Sequence, residues 1–313
     1  MIIRASHLSD TPAIVQLLKE SLGESLLKKT TDIWQYKHEQ NPFGPSYVLL
    51  AEEASHLIGV RAFMQWRWQK GSEVLQAYRA VDTATHPQHQ GRGIFKKLTL
   101  QAVSEVQDLS ECFIFNTPNE KSRPGYLKMG WEVLGKIRLS LVPTLFYSFL
   151  LLRKDPSKKQ QAIDATAIDH LCSQHNKELE QQNVFFTPKS AAYLAWRYEN
   201  NPMQSYFIST TTDYYVACYV KRHRYFKELR VAEVVGATTP ESRNKLRHYL
   251  MTIAFQERCL LITTADKNLF PLRLYGTFGP QMTCRDLTKS QLLLQSSKKM
   301  DEWHYSLGDL ELF

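Results

Sequence analysis

The sequence lacks several features that mark whole classes of protein. Its five cysteines are widely separated and form no C-x-x-C pair, so neither a disulfide framework nor a zinc ribbon is indicated. The longest apolar run, residues 139–152, is shorter than the roughly 20 residues of a membrane-spanning helix and contains Pro143. No basic segment followed by an apolar core opens the chain, so a signal peptide is not predicted. Together these absences favour a cytoplasmic protein with reduced thiols.

Composition and charge predict a folded chain of two domains with anionic partners. Hydrophobic residues make up 43% and charged residues 22% of the 313 residues, which is ordinary for folded proteins, and a single domain rarely grows so long. The net charge of +8 attracts phosphate-bearing partners. The basic run at residues 221–230 is interpreted as a solvated strand and turn, so no nucleic acid is expected as a partner.

The apolar segment 139–152 and the basic residues after it leave two interpretations open. The simpler one is a helix packed at the junction of two domains. The other is a weak peripheral contact of residues 139–159 with an anionic membrane surface, because apolar residues followed by lysine and arginine suit such a surface.

The first half of the chain predicts a regular order of strands and helices. Asp10 and Pro12 start a helix whose apolar residues continue to Leu22, and a short helix follows at residues 31–39. Enrichment in β-branched and aromatic residues then predicts three consecutive strands, after which helix, strand, short helix and strand follow to residue 141. The predicted order is β-α-α-β-β-β-α-β-α-β.

The second half repeats the pattern of the first. In both halves a Trp and a Tyr precede an Asn-Pro pair, at Asn41 and at Asn201, and strands and then a Thr-rich segment with a proline follow. This similarity predicts an internal duplication. The copies diverge at one place: THPQHQGRGIF, residues 85–95, corresponds to TTPESRNKLRH, residues 238–248, which has no glycine.

Glycines at the start of a helix predict a phosphate site. The helix start offers unpaired backbone N–H groups at the positive end of the dipole, and glycine lets a phosphate approach closely. A Walker loop needs Gly-Lys-Ser/Thr, and a dinucleotide fold needs G-x-G-x-x-G after the first strand of a βαβ unit; residues 90–95 fit neither pattern.

The glycine turn instead resembles a motif of the GNAT N-acetyltransferase superfamily, Gln/Arg-x-x-Gly-x-Gly/Ala, which holds the pyrophosphate of acetyl-CoA. The resemblance covers Gln90 to Gly93, with Phe95 at the family's final small position, and a register beginning at Gln88 also satisfies the pattern. The stretch 115–131 is similar to the second cofactor segment of that superfamily: an Asn near the end of the fifth strand, then a helix ending in Tyr-x-x-x-Gly-aromatic. The matching residues here are Asn116, Tyr126, Gly130 and Trp131.

The resemblance implies an α/β fold with mixed sheets, built from two GNAT-like domains in tandem. Residues 1–142 would form the domain with the acetyl-CoA site, residues 143–160 a junction, and residues 161–313 a degenerate domain without the phosphate-binding turn. In the second copy Leu272 stands roughly where Tyr126 stands in the first.

The same resemblance implies roles in acyl transfer from a thioester to an amine. Asp82 is the candidate general base, Tyr126 the candidate proton donor to the CoA thiolate, and the backbone of Thr83–Thr85 the candidate partner of the carbonyl oxygen. The residues predicted to contact acetyl-CoA are Thr83, Ala84, Thr85, Gln90, Gly91, Arg92, Gly93, Ile94, Phe95, Asn116, Asn119 and Tyr126. No metal site is predicted, because His86 and His89 have no further ligand at metal spacing.

The implied function is acetyl-CoA-dependent N-acetylation of a primary amine, on a small molecule or a peptide, with the second domain shaping the acceptor cleft. Two alternatives stay open: a module that binds acyl-CoA without turnover, and a transferase with another acyl donor, which Phe95 favours. A homodimer also stays open.

Overall fold

The computed structural model describes residues 1–23, 28–152, 164–289 and 300–310. It divides into two compact units that are each discontinuous in sequence. The first unit comprises Met1–Gly135 and Pro280–Met300, and the second comprises Lys136–Gly279 and Asp301–Phe313.

The elements follow one another in an order that confirms the prediction for the first half. Up to residue 136 they are β1 (Ile2–Ala5), α1 (Thr11–Leu22), α2 (Thr31–His38), β2 (Tyr47–Glu53), β3 (His56–Lys70), β4 (Glu73–Thr85), α3 (Ile94–Leu109), β5 (Cys112–Asn116), α4 (Arg123–Lys128) and β6 (Glu132–Lys136). After it come β7 (Leu139–Pro143), a 3₁₀ stretch (Thr144–Leu152), α5 (Ala165–Gln181), β8 (Phe185–Phe186), α6 (Ala191–Leu194) with a π turn (Ala195–Glu199), β9 (Phe207–Thr210), β10 (Tyr214–Arg222), β11 (Lys227–Gly236), α7 (Pro240–Gln256), β12 (Cys259–Thr264), β13 (Leu274–Gly276), β14 (Gln281–Asp286) and α8 (Leu307–Leu310).

Helix α1 begins where the sequence predicts, but Asp10 has a different role from the one predicted. Pro12 occupies the first turn, where its missing N–H costs nothing, and Ile14 and Leu18 are buried. Asp10 does not cap the helix with its side chain. Its carboxylate instead accepts from both terminal nitrogens of Arg4, at 2.7 and 2.9 Å.

The first unit contains a mixed sheet in the order β1-β2-β3-β4-β5-β14-β6. Strands β1 to β4 are antiparallel, and β5 runs parallel to β4. The pairing of β4 with β5 extends only from Gln76 to Arg79, so residues 80–85 of β4 have β3 as a partner on one edge and no β5 pairing on the other. The two strands therefore separate towards the start of α3.

The second unit contains a mixed sheet in the order β9-β10-β11-β12-β7-β13. Strands β9, β10 and β11 are antiparallel, and β12 is parallel to β11, as β5 is to β4. In each unit the neighbour of that parallel strand comes from a distant part of the chain: β14 pairs with β5, and β7 pairs with β12. The two sheets thus have matching strand orders, and each is completed by a strand from outside its consecutive run.

The prediction of a helix across residues 139–152 is wrong for its first part. Leu139–Pro143 form β7, in which Leu139 and Val142 are buried and Val142 lies opposite Ile262 of β12. Pro143 ends the strand because it cannot donate to the ladder. Residues 144–152 form a 3₁₀ stretch, and the basic residues 153–159 of the predicted surface contact lie outside the described residues.

Each unit has its own core, with one long helix packed on the sheet. Leu98, Ala102 and Val106 of α3 are buried in the first core, and Leu246, Leu250 and Met251 of α7 in the second. The five cysteines are buried, and none of them forms a disulfide within the described part of the chain. Within the described ranges, the helices are too short or too polar to cross a membrane.

Candidate functional site

The turn between β4 and α3 is open on its outer side. Gly91 and Gly93 have φ angles of 77° and 72°, in the left-handed region that favours glycine, and a Cβ on either would meet no atom within 4 Å. No side chain caps α3. Among the described residues, the N–H groups of residues 94–96 have no hydrogen-bond partner, whereas that of Lys97 donates to the Gly93 carbonyl. Such a helix start suits a phosphate group.

The side chain of Arg92 is engaged with protein groups beside this turn. Its two terminal nitrogens donate to the two carboxylate oxygens of Glu53 at 2.8 and 2.7 Å, and one also lies 2.6 Å from Nδ1 of His89. The hydrogen bonds from Arg92 lower the pKa of Glu53 to about 2. The free groups at the turn are therefore backbone amides.

A β-bulge lies directly before the turn. Val81 pairs with Ala62 and Thr83 pairs with Arg61, so Asp82 is the extra residue of β4, and its φ of 39° is left-handed. The bulge thus lies at Asp82, and Thr83–Thr85 continue the ladder with β3 beyond it.

Two side chains contact the carboxylate of Asp82, and a third contacts one of those two. Lys37 donates to one of its oxygens, and Nε2 of His38 lies 2.8 Å from the same oxygen. The other ring nitrogen of His38 lies 2.8 Å from the hydroxyl of Ser46. These contacts could not be predicted, because Lys37 and His38 belong to α2, which is far from β4 in the chain.

The electrostatics of this cluster keep Asp82 ionised. Burial would raise the pKa of Asp82, but the charge of Lys37 and the hydrogen bond from His38 outweigh it and hold the pKa well below its usual range. Burial is also the main reason why the pKa of His38 is lowered. About a quarter of the Asp82 side chain remains exposed, so it is the member of the cluster that a solute can reach.

Tyr126 of α4 lies behind the glycine turn. Its ring packs edge-on against Phe95, with centroids 5.7 Å apart, and against Trp131, at 5.1 Å. Its hydroxyl oxygen accepts a hydrogen bond of 2.8 Å from Nη1 of Arg61. The same nitrogen donates to the hydroxyl of Thr83. Arg61 therefore connects the predicted proton donor with the segment after the bulge.

Sequence reasoning missed Arg61, although a signal for it exists. Side chains two residues apart in a strand share a face. Arg61 thus shares a face of the predicted strand with the apolar Phe63. A charged residue in a buried phase indicates a specific polar environment.

The two predicted asparagines take part in protein contacts. Asn116, at the end of β5, accepts at Oδ1 from the hydroxyl of Thr283 in β14, at 2.6 Å. Asn119 accepts at Oδ1 from the backbone N–H and the hydroxyl of Ser122, which shapes the turn before α4. Within the described part of the chain, no group of three or more His, Cys, Asp or Glu residues is placed to hold a metal ion.

Two comparisons of the sequence with known proteins give different results. Residues 2–134 match the family model of an acetyltransferase (GNAT) domain. No curated protein is significantly similar in sequence.

Solved structures extend the likeness to nearly the whole chain. A GCN5-related N-acetyltransferase from Anabaena variabilis is 11% identical, with a TM-score of 0.65 over 92% of this chain and 73% of that one. A probable N-acyltransferase from Enterococcus faecalis is 10% identical, with a TM-score of 0.67 over 91% and 72%. Saccharomyces cerevisiae N-myristoyltransferase with bound myristoyl-CoA is 10% identical, with a TM-score of 0.54 over 91% and 82%. The chain shares the fold of these proteins, and its residues 2–134 match an acetyltransferase (GNAT) domain.

Proposed function

We propose that the first unit is an acetyl-CoA-dependent N-acetyltransferase that transfers the acetyl group to a primary amine of a small molecule or peptide. The observation that carries the proposal is the start of α3. Its amides 94–96 have no partner among the described residues, and two left-handed glycines leave open space in front of them. A Cβ at either glycine would occupy the space that a pyrophosphate needs.

Residues of β4 would bind the carbonyl oxygen of the thioester, and a residue of α4 would protonate its leaving group. The amides of Thr83–Thr85 follow a bulge on a strand edge that β5 does not pair with, which supports a contact with the carbonyl oxygen. The phenol of Tyr126 would give its proton to the departing thiolate. The further contacts proposed for the donor are Ala84, Gln90, Arg92, Ile94, Phe95, Asn116 and Asn119.

Asp82 would take the proton of the attacking amine, directly or through water. The ion pair with Lys37 and the hydrogen bond with His38 keep it ionised and thus able to accept. A carboxylate of low pKa holds a proton only briefly, so we expect the proton to pass on to solvent.

The second unit would be a degenerate copy of the same fold. Matching strand orders support this, as does a bulge at the corresponding strand pair, between Ala217 and Cys218. The start of α7 is closed by Thr239 and Ser242, which form a capping box. Several expectations stay predictions. They are the domain limits 1–142 and 161–313, a role of the second unit in shaping the acceptor cleft, a homodimer, a weak contact of residues 139–159 with an anionic surface, and a cytoplasmic location.

A longer acyl donor is the second candidate, since a neighbour in fold binds myristoyl-CoA. Isothermal titration with acetyl-, octanoyl- and myristoyl-CoA tests the donor, and release of CoA in the presence of a panel of primary amines tests turnover. We expect acetyl-CoA to bind and to be consumed only with an amine. Tighter binding of myristoyl-CoA would favour the second candidate, and binding without turnover would favour a sensor. Absence of binding to all three would refute the site.

A further inference from the structure

Arg61 is a buried cation without a counter-ion among the described residues. It has no exposed surface, and its guanidinium lies over the rings of Phe63, Tyr126 and Phe95 at 4.6, 5.3 and 5.9 Å. Its Nε and Nη2 atoms have no hydrogen-bond partner in the part of the chain that the structure describes. Buried charges in proteins are normally paired, because leaving one unpaired is costly. A residue kept at such a cost requires an explanation.

The two hydrogen bonds of Arg61 join groups on different elements. Nη1 donates to the Tyr126 hydroxyl of α4, at 2.8 Å, and to the Thr83 hydroxyl of β4. Helix α4 has only six residues, so its own backbone fixes Tyr126 weakly. The guanidinium thus sets the distance between the phenol and the strand segment after the bulge.

The direction of the hydrogen bond determines where the phenolic proton can go. A guanidinium has donors and no acceptor, so the oxygen of Tyr126 must accept from it. The O–H of Tyr126 then donates elsewhere, and no acceptor for it occurs among the described residues. The proton is therefore available to the thiolate of the donor, to which the proposed function assigns it.

We infer that Arg61 is a positioning residue, which holds the Tyr126 oxygen and thereby aims its O–H at the sulfur of CoA. The inference rests on the proposed function, because it takes Tyr126 as the proton donor to the thiolate. Arg61 itself does not touch the substrate and acts through Tyr126.

Binding of CoA and desulfo-CoA to the full chain tests the inference without an acceptor. The two probes differ only at the sulfur, so the ratio of their dissociation constants reports the contact between Tyr126 and sulfur. We expect the wild type to bind CoA about fivefold more tightly, as one hydrogen bond predicts. Tyr126→Phe and Arg61→Met should each bring the ratio to about one, with the affinity for desulfo-CoA unchanged. The double variant should show no further change, because both act through one contact.

A matched variant separates positioning from general damage to the sheet. Arg79 is also buried, and its guanidinium lies 5.9 Å from the ring of Phe115, so Arg79→Met should keep the wild-type ratio. If Arg61→Met does not fold, Arg61→Gln replaces it, because the shorter amide cannot reach Tyr126.

The outcomes distinguish the two proposals. A wild-type ratio in folded Arg61→Met, or in Arg61→Gln, would overturn the inference while Tyr126 keeps its role. A wild-type ratio in Tyr126→Phe would remove Tyr126 from the chemistry and Arg61 with it. If the wild type binds neither probe, the donor site itself is refuted.

Discussion

The helices α3 and α7 follow equivalent strands in the two units, yet they begin in opposite ways. Gly93 starts α3 without a side-chain cap. Thr239 starts α7, its hydroxyl accepts from the Ser242 N–H at 3.1 Å, and the Ser242 side chain accepts from the Thr239 N–H at 3.1 Å. One helix start thus keeps amides without a partner among the described residues, and the other is satisfied by side chains of the protein itself.

The strands before these helices differ in the same sense. In the first unit the bulge presents Asp82, which is partly exposed. In the second, Glu233 is buried next to the bulge, where Lys189 donates to it at 2.7 Å and to Asp309 at 2.8 Å. A shared backbone geometry therefore serves a reachable site in one unit and a closed ion network in the other. The difference teaches that side chains make two units of the same fold unlike, and under the proposed function they decide which unit carries the chemistry.

The largest expected effect is on the free energy of unfolding, and it should differ between these two charged clusters. Lys189→Met leaves Glu233 and Asp309 buried without their cation and should lower the free energy of unfolding by about 3–5 kcal/mol. Asp82→Asn removes the charge that neutralises Lys37 but keeps an oxygen that can accept from it, so it should lower the free energy of unfolding less, by about 1–2 kcal/mol, and should lower kcat about a hundredfold. Urea denaturation and acetyl-transfer kinetics measure both. Equal losses of stability in the two variants would contradict the contrast.

The next effect concerns the glycine turn. Gly93→Asp places a Cβ and a negative charge in front of the amides of α3 and strains a left-handed residue, so acetyl-CoA should bind at least about a hundredfold more weakly. Titration calorimetry measures the affinity.

Asn244→Asp provides the control at α7. Asn244 corresponds to Gly91 in the second copy, and its replacement should leave acetyl-CoA binding unchanged. A similar loss in both variants would mean that the turn before α3 is not the site.

Most of the first sheet could be predicted, because local signals decide it. Alternating apolar residues, Pro12 and the two glycines predicted the order of elements and the helix start. The pairing of β14 with β5 could not be predicted, since a strand's own residues do not say which sheet edge it completes. The contacts of Asp82 with Lys37 and His38 were hidden for the same reason, as they join residues more than 40 positions apart.

A smaller effect should appear in acid. Burial, with the nearby charges of His304 and Lys189, lowers the pKa of His175 to about 3. In the unfolded chain the pKa of a histidine is about 6.5. The unfolded state therefore takes up the proton first, so this stability is full above about pH 6.5 and is lost as the pH falls towards 3. Between pH 7 and 5 the loss from this group is about 2 kcal/mol. His175→Gln should lose correspondingly less stability over that range in urea denaturation, and an unchanged pH dependence would contradict the assignment.

The smallest effect tests whether α7 needs its cap. Thr239→Ala removes the hydroxyl that accepts from the Ser242 N–H, so the free energy of unfolding should fall by about 1 kcal/mol. Affinity for acetyl-CoA should stay the same, because the exposed amide lies in the unit without the glycine turn. The same variant would gain affinity if a free helix start alone made a donor site. An unchanged affinity would instead mean that free amides are not enough. The donor site would then also need the left-handed glycines before α3, which leave open space at the helix start, and Tyr126, which packs against Phe95.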